Sequence, residues 1–236
     1  MTYTTLKAAL ISISLTCGSG VCAQQFEFER TASGIQIEIL KGGLTAAPAP
    51  SDRTILKSAI ELIKHFEGWS ATAYDDPVGY CTIGYGHLIA HKRCSATDLS
   101  GFDIPLTDQS GQELLLNDTG HARHAVERLV SVNLTDHQFG ALSSFVFNVG
   151  EGNFASSTLL KLVNANDFDG AAAQFSRWTL SRGVRLKGLV IRRGCEAALF
   201  SGRDLLNAQG TFDQDTCTLL GAPEQADDPV DIIEGE

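Results

Sequence analysis

The chain has 236 residues, 43% of them hydrophobic and 19% charged, enough to bury one good-sized core or two lobes with tails. No segment carries the roughly 18 apolar residues that a membrane-spanning helix needs. The net charge is −10, yet residues 211–236 alone hold eight acidic side chains and no Lys or Arg; the body is close to neutral, without the basic face that nucleic-acid binding requires.

Residues 1–23 read as a secretory signal: Lys7 for the positive region, a short apolar run over 8–16, and Val21-Cys22-Ala23 as a small-residue cleavage site ahead of Gln24. Retention of this segment as a weak anchor is the alternative. Residues 24–52 read as an arm or linker, with weak alternation from Phe26 to Leu40 and a Gly-, Ala- and Pro-rich stretch over 43–50. From Ser51 or Asp52, either of which can cap, Ile55, Ala59, Ile60, Ile63 and Phe66 recur at helical spacing, and Gly68 is a stop signal. Residues 71–89 change character: β-prone stretches broken by Asp76-Pro77, Gly79, Gly84 and Gly86 predict a small antiparallel hairpin.

The remainder reads as helical. The spacing predicts helices over 107–130, from Thr135 through Val146, from Ser156 to Asn164, from Asp167 to Trp178, and from Gly188 to Phe200. Helix, small sheet, then many helices is an α+β order with a helical main lobe. Residues 53–206 form the expected main domain, and residues 207–236 an acidic, flexible tail tethered by Cys217.

Removal of the signal leaves four cysteines, Cys81, Cys94, Cys195 and Cys217. An even count in an exported protein argues for disulfides. Of the three connectivities, Cys81–Cys94 with Cys195–Cys217 is preferred because each closes a short segment. The first would clip the hairpin and contribute about 2–4 kcal/mol. A zinc set of Cys81, His87, His91 and Cys94 is the rival, set aside for an oxidising compartment; no metal or other cofactor is expected.

The sharpest feature is Glu67, Asp76 and Thr82. Glu67 falls at a predicted helix C-terminus beside Phe66 and Trp69, where the macrodipole and burial both favour a neutral carboxyl, as a general acid needs. Asp76 falls in a more solvated turn and should stay ionised; two carboxyls in such contrasting surroundings form the acid/base pair of a glycosidase. Thr82, on the next strand, has a hydroxyl able to orient a water beside Asp76. Each residue alone reads equally well as helix end, turn former or strand residue, and spacing does not decide between the readings.

Context does. Phe66-Glu67-Gly68, Ala73-Tyr74-Asp75-Asp76, Gly79 and Thr82-Ile83-Gly84-Tyr85-Gly86-His87-Leu88 resemble the catalytic segment of phage-type lysozymes, glycoside hydrolase family 24. Further matches are Gln138-Phe139, Ala141 to Gly150 including Asn148, Phe154, Ser157 to Leu160, Phe175, Trp178, Gly188-Leu189, Arg192-Arg193 and Glu196, so the resemblance runs from about Ile55 to Phe200. It implies a two-lobed lysozyme-like fold with a cleft between a small β lobe and a larger helical lobe. It also implies hydrolysis of the β-1,4 bond between N-acetylmuramic acid and N-acetylglucosamine of peptidoglycan glycan strands by a monomer. Glu67 would protonate the leaving oxygen, while Asp76 and Thr82 hold the attacking water, with inversion and carboxyls roughly 6.5–9.5 Å apart. Related enzymes without the Asp act as lytic transglycosylases. The spacing of the family selects Asp76 over Asp75, which goes to the turn, and makes His87 structural. Tyr74, Asn148 and Arg192 are substrate-binding candidates, with Arg192 or Arg193 alternatively facing Glu67 or pairing with Glu196. The resemblance leaves open a non-catalytic peptidoglycan-binding protein on the same scaffold, and says nothing of the arm or tail. The periplasm or the exterior is the expected destination.

Overall fold

The structure, a computed structural model, describes residues 11–17, 20–31, 34–38, 53–218 and 228–233. The chain divides into two units, Met1–Ala49 and Pro50–Glu236. In the first, β1 (Ile11–Cys17), β2 (Gly20–Thr31) and β3 (Gly34–Glu38) form an antiparallel sheet in the order β1-β2-β3. The register sets Leu15 opposite Cys22 and Phe28 opposite Ile37. Parts of the expected arm, residues 24–31 and 34–38, are thus strands, and the period-2 pattern Phe26-Glu27-Phe28-Glu29 suits extended backbone. Strand β2 continues through the anticipated cleavage point at Ala23-Gln24. The Gly/Ala/Pro-rich residues 43–50 and the candidate caps Ser51 and Asp52 lie outside the described residues.

The second unit opens with α1 (Lys57–Glu67), which follows Leu56 without a side-chain cap and ends at Gly68, whose φ of 75° suits glycine. Ala59, Ile60, Leu62 and Ile63 turn its apolar face into the core. Three strands then form a small antiparallel sheet, β4 (Ser70–Asp75), β5 (Cys81–Gly84) and β6 (His87–Ala90), ordered β4-β5-β6. This is one strand more than the expected hairpin. Cys81 is bonded to Cys94, with Cα atoms 4.6 Å apart, and Cys195 to Cys217, with Cα atoms 4.7 Å apart.

The single helix expected over 107–130 is two, α2 (Asp108–Asp118) and α3 (Gly120–Leu129). The break is local chemistry. Thr119, fully buried, folds its hydroxyl back to donate to Leu116 O at 2.9 Å, and Arg123 Nη2 donates to the same carbonyl at 3.0 Å. Gly120, a weak helix former, follows. The central helix α4 (Asp136–Val149) starts with the anticipated cap at Thr135, a box closed reciprocally by Gln138. Around it lie α5 (Glu151–Ser156), α6 (Thr158–Asn164), capped by Ser157, α7 (Phe168–Gln174), capped by Asp167, and α8 (Lys187–Phe200). The expected helix to Trp178 stops early, in a 3-10 turn over Phe175–Arg177, which directs Trp178 into the core. There Phe145 of α4 meets Phe154, Phe175 and Trp178 edge-on at 5.2–6.3 Å between ring centroids. A short hairpin, β7 (Leu180–Ser181) and β8 (Val184–Arg185), precedes α8.

Within the expected tail, residues 207–218 and 228–233 make definite contacts with the rest of the unit. Phe212 bridges to Leu206 and packs against the core, and α9 (Gln214–Thr218) carries Cys217 to its disulfide. Residues 228–233 lie along β7: Val230 N donates to Arg177 O, Leu180 N to Val230 O and Ile232 N to Leu180 O. The acidic composition conceals Phe212, Val230 and Ile232, whose burial and backbone pairing outweigh the charge.

Asp231 closes the β7–β8 turn. Its carboxylate accepts the backbone N–H groups of Gly183 at 2.5 Å, Ile233 at 2.9 Å and Arg182 at 3.1 Å. The Gly183 amide, followed by those of Ile233 and Arg182, holds the Asp231 carboxyl below its ordinary range. A depressed folded-state value means the stabilisation is fully present above the ordinary carboxyl range and is lost as pH falls through it. Urea unfolding of the native protein and of Asp231→Asn should therefore differ at pH 7, and the difference should shrink progressively below about pH 4.

Candidate active site

Glu67 is the last residue of α1, separated from the start of β4 by Gly68 and Trp69. Its Oε1 accepts a hydrogen bond from Arg192 Nη1 at 2.7 Å, while Oε2 lies beside the β5–β6 turn, 3.9 Å from where a Cβ on Gly86 would sit. The Glu67 side chain keeps 26% of its exposure, whereas that of Arg192 keeps 5%. One carboxyl oxygen is thus held from the helical side and the other faces the sheet.

Arg192 belongs to a buried charge cluster on α8. Its Nε reaches Glu196 Oε1 at 3.2 Å, and Arg193 Nε lies 3.0 Å from Glu196 Oε2. Ser144 of α4 donates its hydroxyl to Glu196 Oε1 at 2.7 Å, and Arg193 Nη2 donates to Asn148 Oδ1 at 2.6 Å. Glu196 and Arg193 are fully buried. Burial pushes the Arg193 guanidinium down to about 10, against the pull of Glu196, so it stays charged at neutral pH. Arg192 Nη2 and Arg193 Nη1 find no hydrogen-bond partner among the described residues, and Arg193 Nε and Glu196 Oε2 meet as an ion pair without hydrogen-bond geometry. Two guanidiniums around one carboxylate leave donors in excess.

Asp76 sits just past the end of β4. Its Oδ1 accepts the N–H groups of Val78 at 2.9 Å and Tyr80 at 2.8 Å, which fixes the carboxylate on its turn. Thr82 pairs with Tyr74 on one side and Leu88 on the other, so the three share a face of the sheet. Thr82 is buried, its hydroxyl 3.3 Å from Tyr80 O, while Tyr74 is exposed. Register shifts interrupt both strand pairings here, the kind of irregularity that re-aims side chains.

The other candidates find structural partners. Asp75 takes the Cys94 N–H at 2.7 Å and pairs with Arg93 at 3.2 Å, so it anchors the Cys81–Cys94 clip. His87 Nδ1 lies 3.0 Å from Asp118 of α2. His91 packs edge-on against Tyr80, and the sulfurs of Cys81 and Cys94 are bound to each other, which dissolves the zinc set. Asn148, a substrate-binding candidate, has its amide oxygen on Arg193. Arg192, another, is committed to Glu67 and Glu196 at once. What sequence reasoning missed is the seat of Trp69, whose indole lies over Gly111 of α2, where any Cβ would come within 2.1 Å. A tryptophan next to a catalytic candidate and a glycine inside a helix were the only signals for it.

Residues 64–196 match the model of the family described as Phage lysozyme, and the chain belongs to that family. It is 38% identical over 148 residues to an endolysin of Bacillus phage B103, a span of 62% of this chain and 53% of that protein. It is 37% identical over 142 residues to a SAR-endolysin of Escherichia phage Mu, covering 59% and 76% respectively. The chain spans about half the length of the two Bacillus phage endolysins that it matches, those of phages B103 and PZA. Among solved structures, the muramidase domain of SpmX from Asticaccaulis excentricus superposes with a TM-score of 0.55 at 35% identity, over 64% of this chain and 99% of that one. A P22 lysozyme variant superposes equally, at a TM-score of 0.55 and 32% identity, over 64% and 99%. The fold is the α+β, two-lobed lysozyme fold, with β4–β6 as the small lobe.

The cluster makes Glu196 the residue whose loss strands most charge. Glu196→Ala leaves two buried guanidiniums without their shared counter-ion and should cost about 3–5 kcal/mol in denaturant unfolding. A cost within experimental error of zero would mean that entering water solvates the two guanidiniums well enough without the carboxylate.

Proposed function

We propose that this chain is an exported lysozyme that hydrolyses the β-1,4 bond between N-acetylmuramic acid and N-acetylglucosamine in peptidoglycan. The carrying observation is Glu67 at the lobe junction, with Oε1 held by buried Arg192 and Oε2 turned toward the sheet that bears Asp76 and Thr82. Membership of the phage lysozyme family and likeness to a muramidase domain support the same reading.

With Oε1 accepting from Arg192, the proton of the acid resides on Oε2 and passes to the glycosidic oxygen as its bond to the sugar C1 breaks. A water oxygen bonds to C1 from the opposite face, its proton drawn to the Asp76 carboxylate; the Thr82 hydroxyl orients that water. Asp76 Oδ1 is occupied by two backbone amides, which leaves Oδ2 as the base. Tyr74, exposed on the Thr82 face, offers an aromatic surface for a sugar ring, and Arg192 acts by positioning Glu67.

Export is supported by the N-terminal pattern over residues 1–23, by two disulfides of the kind that form and persist in oxidising compartments, and by the SAR-endolysin relatives. Among the described residues, no helix is long and apolar enough to cross a membrane. The enzyme acts as a monomer on glycan strands.

Digestion of purified peptidoglycan, followed by mass analysis, tests the reading. The native chain should release muropeptides with free reducing ends. Glu67→Gln should abolish release, and Asp76→Asn should lower the rate at least 100-fold, in line with the size of general acid/base terms, about 10²–10⁴. Anhydro-muropeptides would transfer the protein to the transglycosylases and remove the role given to Asp76. Binding without release, equal in native and Glu67→Gln proteins, would make it a wall-binding scaffold.

A further inference from the structure

The family match ends at residue 196, yet the chain beyond α8 returns to the helices that carry Glu67 and Arg192. After α8, Leu205 is fully buried and its carbonyl accepts Asp213 N–H at 2.8 Å, while Asn207 and Thr211 close the turn between them through backbone and side-chain bonds. The turn delivers Phe212 onto the last residues of α1. Its ring lies 4.7 Å from that of His65 and 6.2 Å from that of Phe66, and Gln214 adds a hydrogen bond to His65 Nε2 at 3.1 Å. The Arg192 guanidinium sits 5.6 Å from the centre of the Phe66 ring. Cys217 then closes the segment onto Cys195, one residue from Glu196 and two from Arg193.

We infer that residues 205–217 form a latch that positions Glu67 for reaction: Phe212 braces the His65–Phe66 end of α1, and Cys217 pins the brace to the helix that carries Arg192. The inference rests on Glu67 as the acid. Its physical basis is that Glu67 is the terminal residue of α1, followed by a glycine, and terminal turns fray because their carbonyls lack intrahelical partners. A helix end that frays moves the carboxyl relative to the sugar, and a misplacement of about 1 Å can cost on the order of 100-fold in rate. Phe212 adds no group to the chemistry and is a positioning residue.

The test compares Phe212→Ala and Phe212→Leu with the native full chain on soluble glycan strands. The Arg192 Nη1–H, which donates to Glu67, is followed by NMR in each as a probe of the Glu67–Arg192 contact. The expected result is a fall in kcat of about tenfold or more for Phe212→Ala with KM changed less than twofold, faster solvent exchange at Arg192 Nη1–H, and recovery of most of kcat in Phe212→Leu. An unfolding midpoint that falls while kcat and the exchange rate stay native would overturn the latch and leave Phe212 as mere packing. Should Phe212→Ala fail to fold, the Cys195→Ala/Cys217→Ser variant releases the far end of the latch and is held to the same outcomes. If the native chain itself yields no reducing ends, the proposed activity fails. The exchange rate at Arg192 then decides the brace separately: acceleration in Phe212→Ala supports it, and an unchanged rate rejects it.

Discussion

The fold turns on a carboxylate that has no exposure at all. Glu196, inside the helical lobe, is shared by Arg192 and Arg193 of its own helix and by the Ser144 hydroxyl of α4. Removing three charges from water costs several kcal/mol each, and the cost is met only while all of them remain in place. The cluster therefore behaves as one unit. It fixes the rotation of α8 against α4, since a turn of either helix would strand a buried ion. It is weak evidence for stability and better evidence for register.

The reach of that cluster toward solvent is what makes it functional. Arg192 spends its Nε inside on Glu196 and its Nη1 at the lobe junction on Glu67. The core thereby sets the orientation of the candidate acid, and α1 needs no polar group of its own to do so. The arginine pair also stacks on aromatic faces, Arg193 over Phe145 and Arg192 near Phe66, which suits a weakly hydrated planar cation.

The sheet is tied to the same frame by different means. Tyr85, in the β5–β6 turn, donates its hydroxyl to Asp108 at 2.5 Å; burial and that bond push its phenol up, and the bond from Tyr85 holds the Asp108 carboxyl below its usual range. Lys64 of α1 lies 3.3 Å from Asp108, His87 meets Asp118, and Trp69 lies over Gly111. These contacts place the small lobe on α2 at one edge. The Cys81–Cys94 bond stiffens the other end of β5, next to the Asp76 turn.

Much of this was legible beforehand because it is local. Apolar spacing over Ile55–Phe66, the helix starts at Thr135 and Asp167 and the glycine after Glu67 depend on neighbours a few residues away, and each marks a boundary observed within a few residues. The candidates Glu67, Asp76 and Thr82 were read from their contiguous motif. The break at Thr119 escaped because it depends on where a buried hydroxyl points, not on period. The packing of Phe212, Val230 and Ile232 escaped because the acidic composition around them hides it, whereas the Cys217 tether was legible in the sequence. By itself the sequence determined the family and most of the helices after residue 55, and it named Glu67, Asp76 and Thr82 as candidates. Only tertiary structure decided that Arg192 serves Glu67 and Glu196 together, that Asp75 belongs to the disulfide clip, and that the chain after α8 returns to brace α1. Apart from the Arg192–Glu196 pair, those outcomes join residues 18 to 149 positions apart, and burial, which selects among such pairings, exists only once the chain has folded.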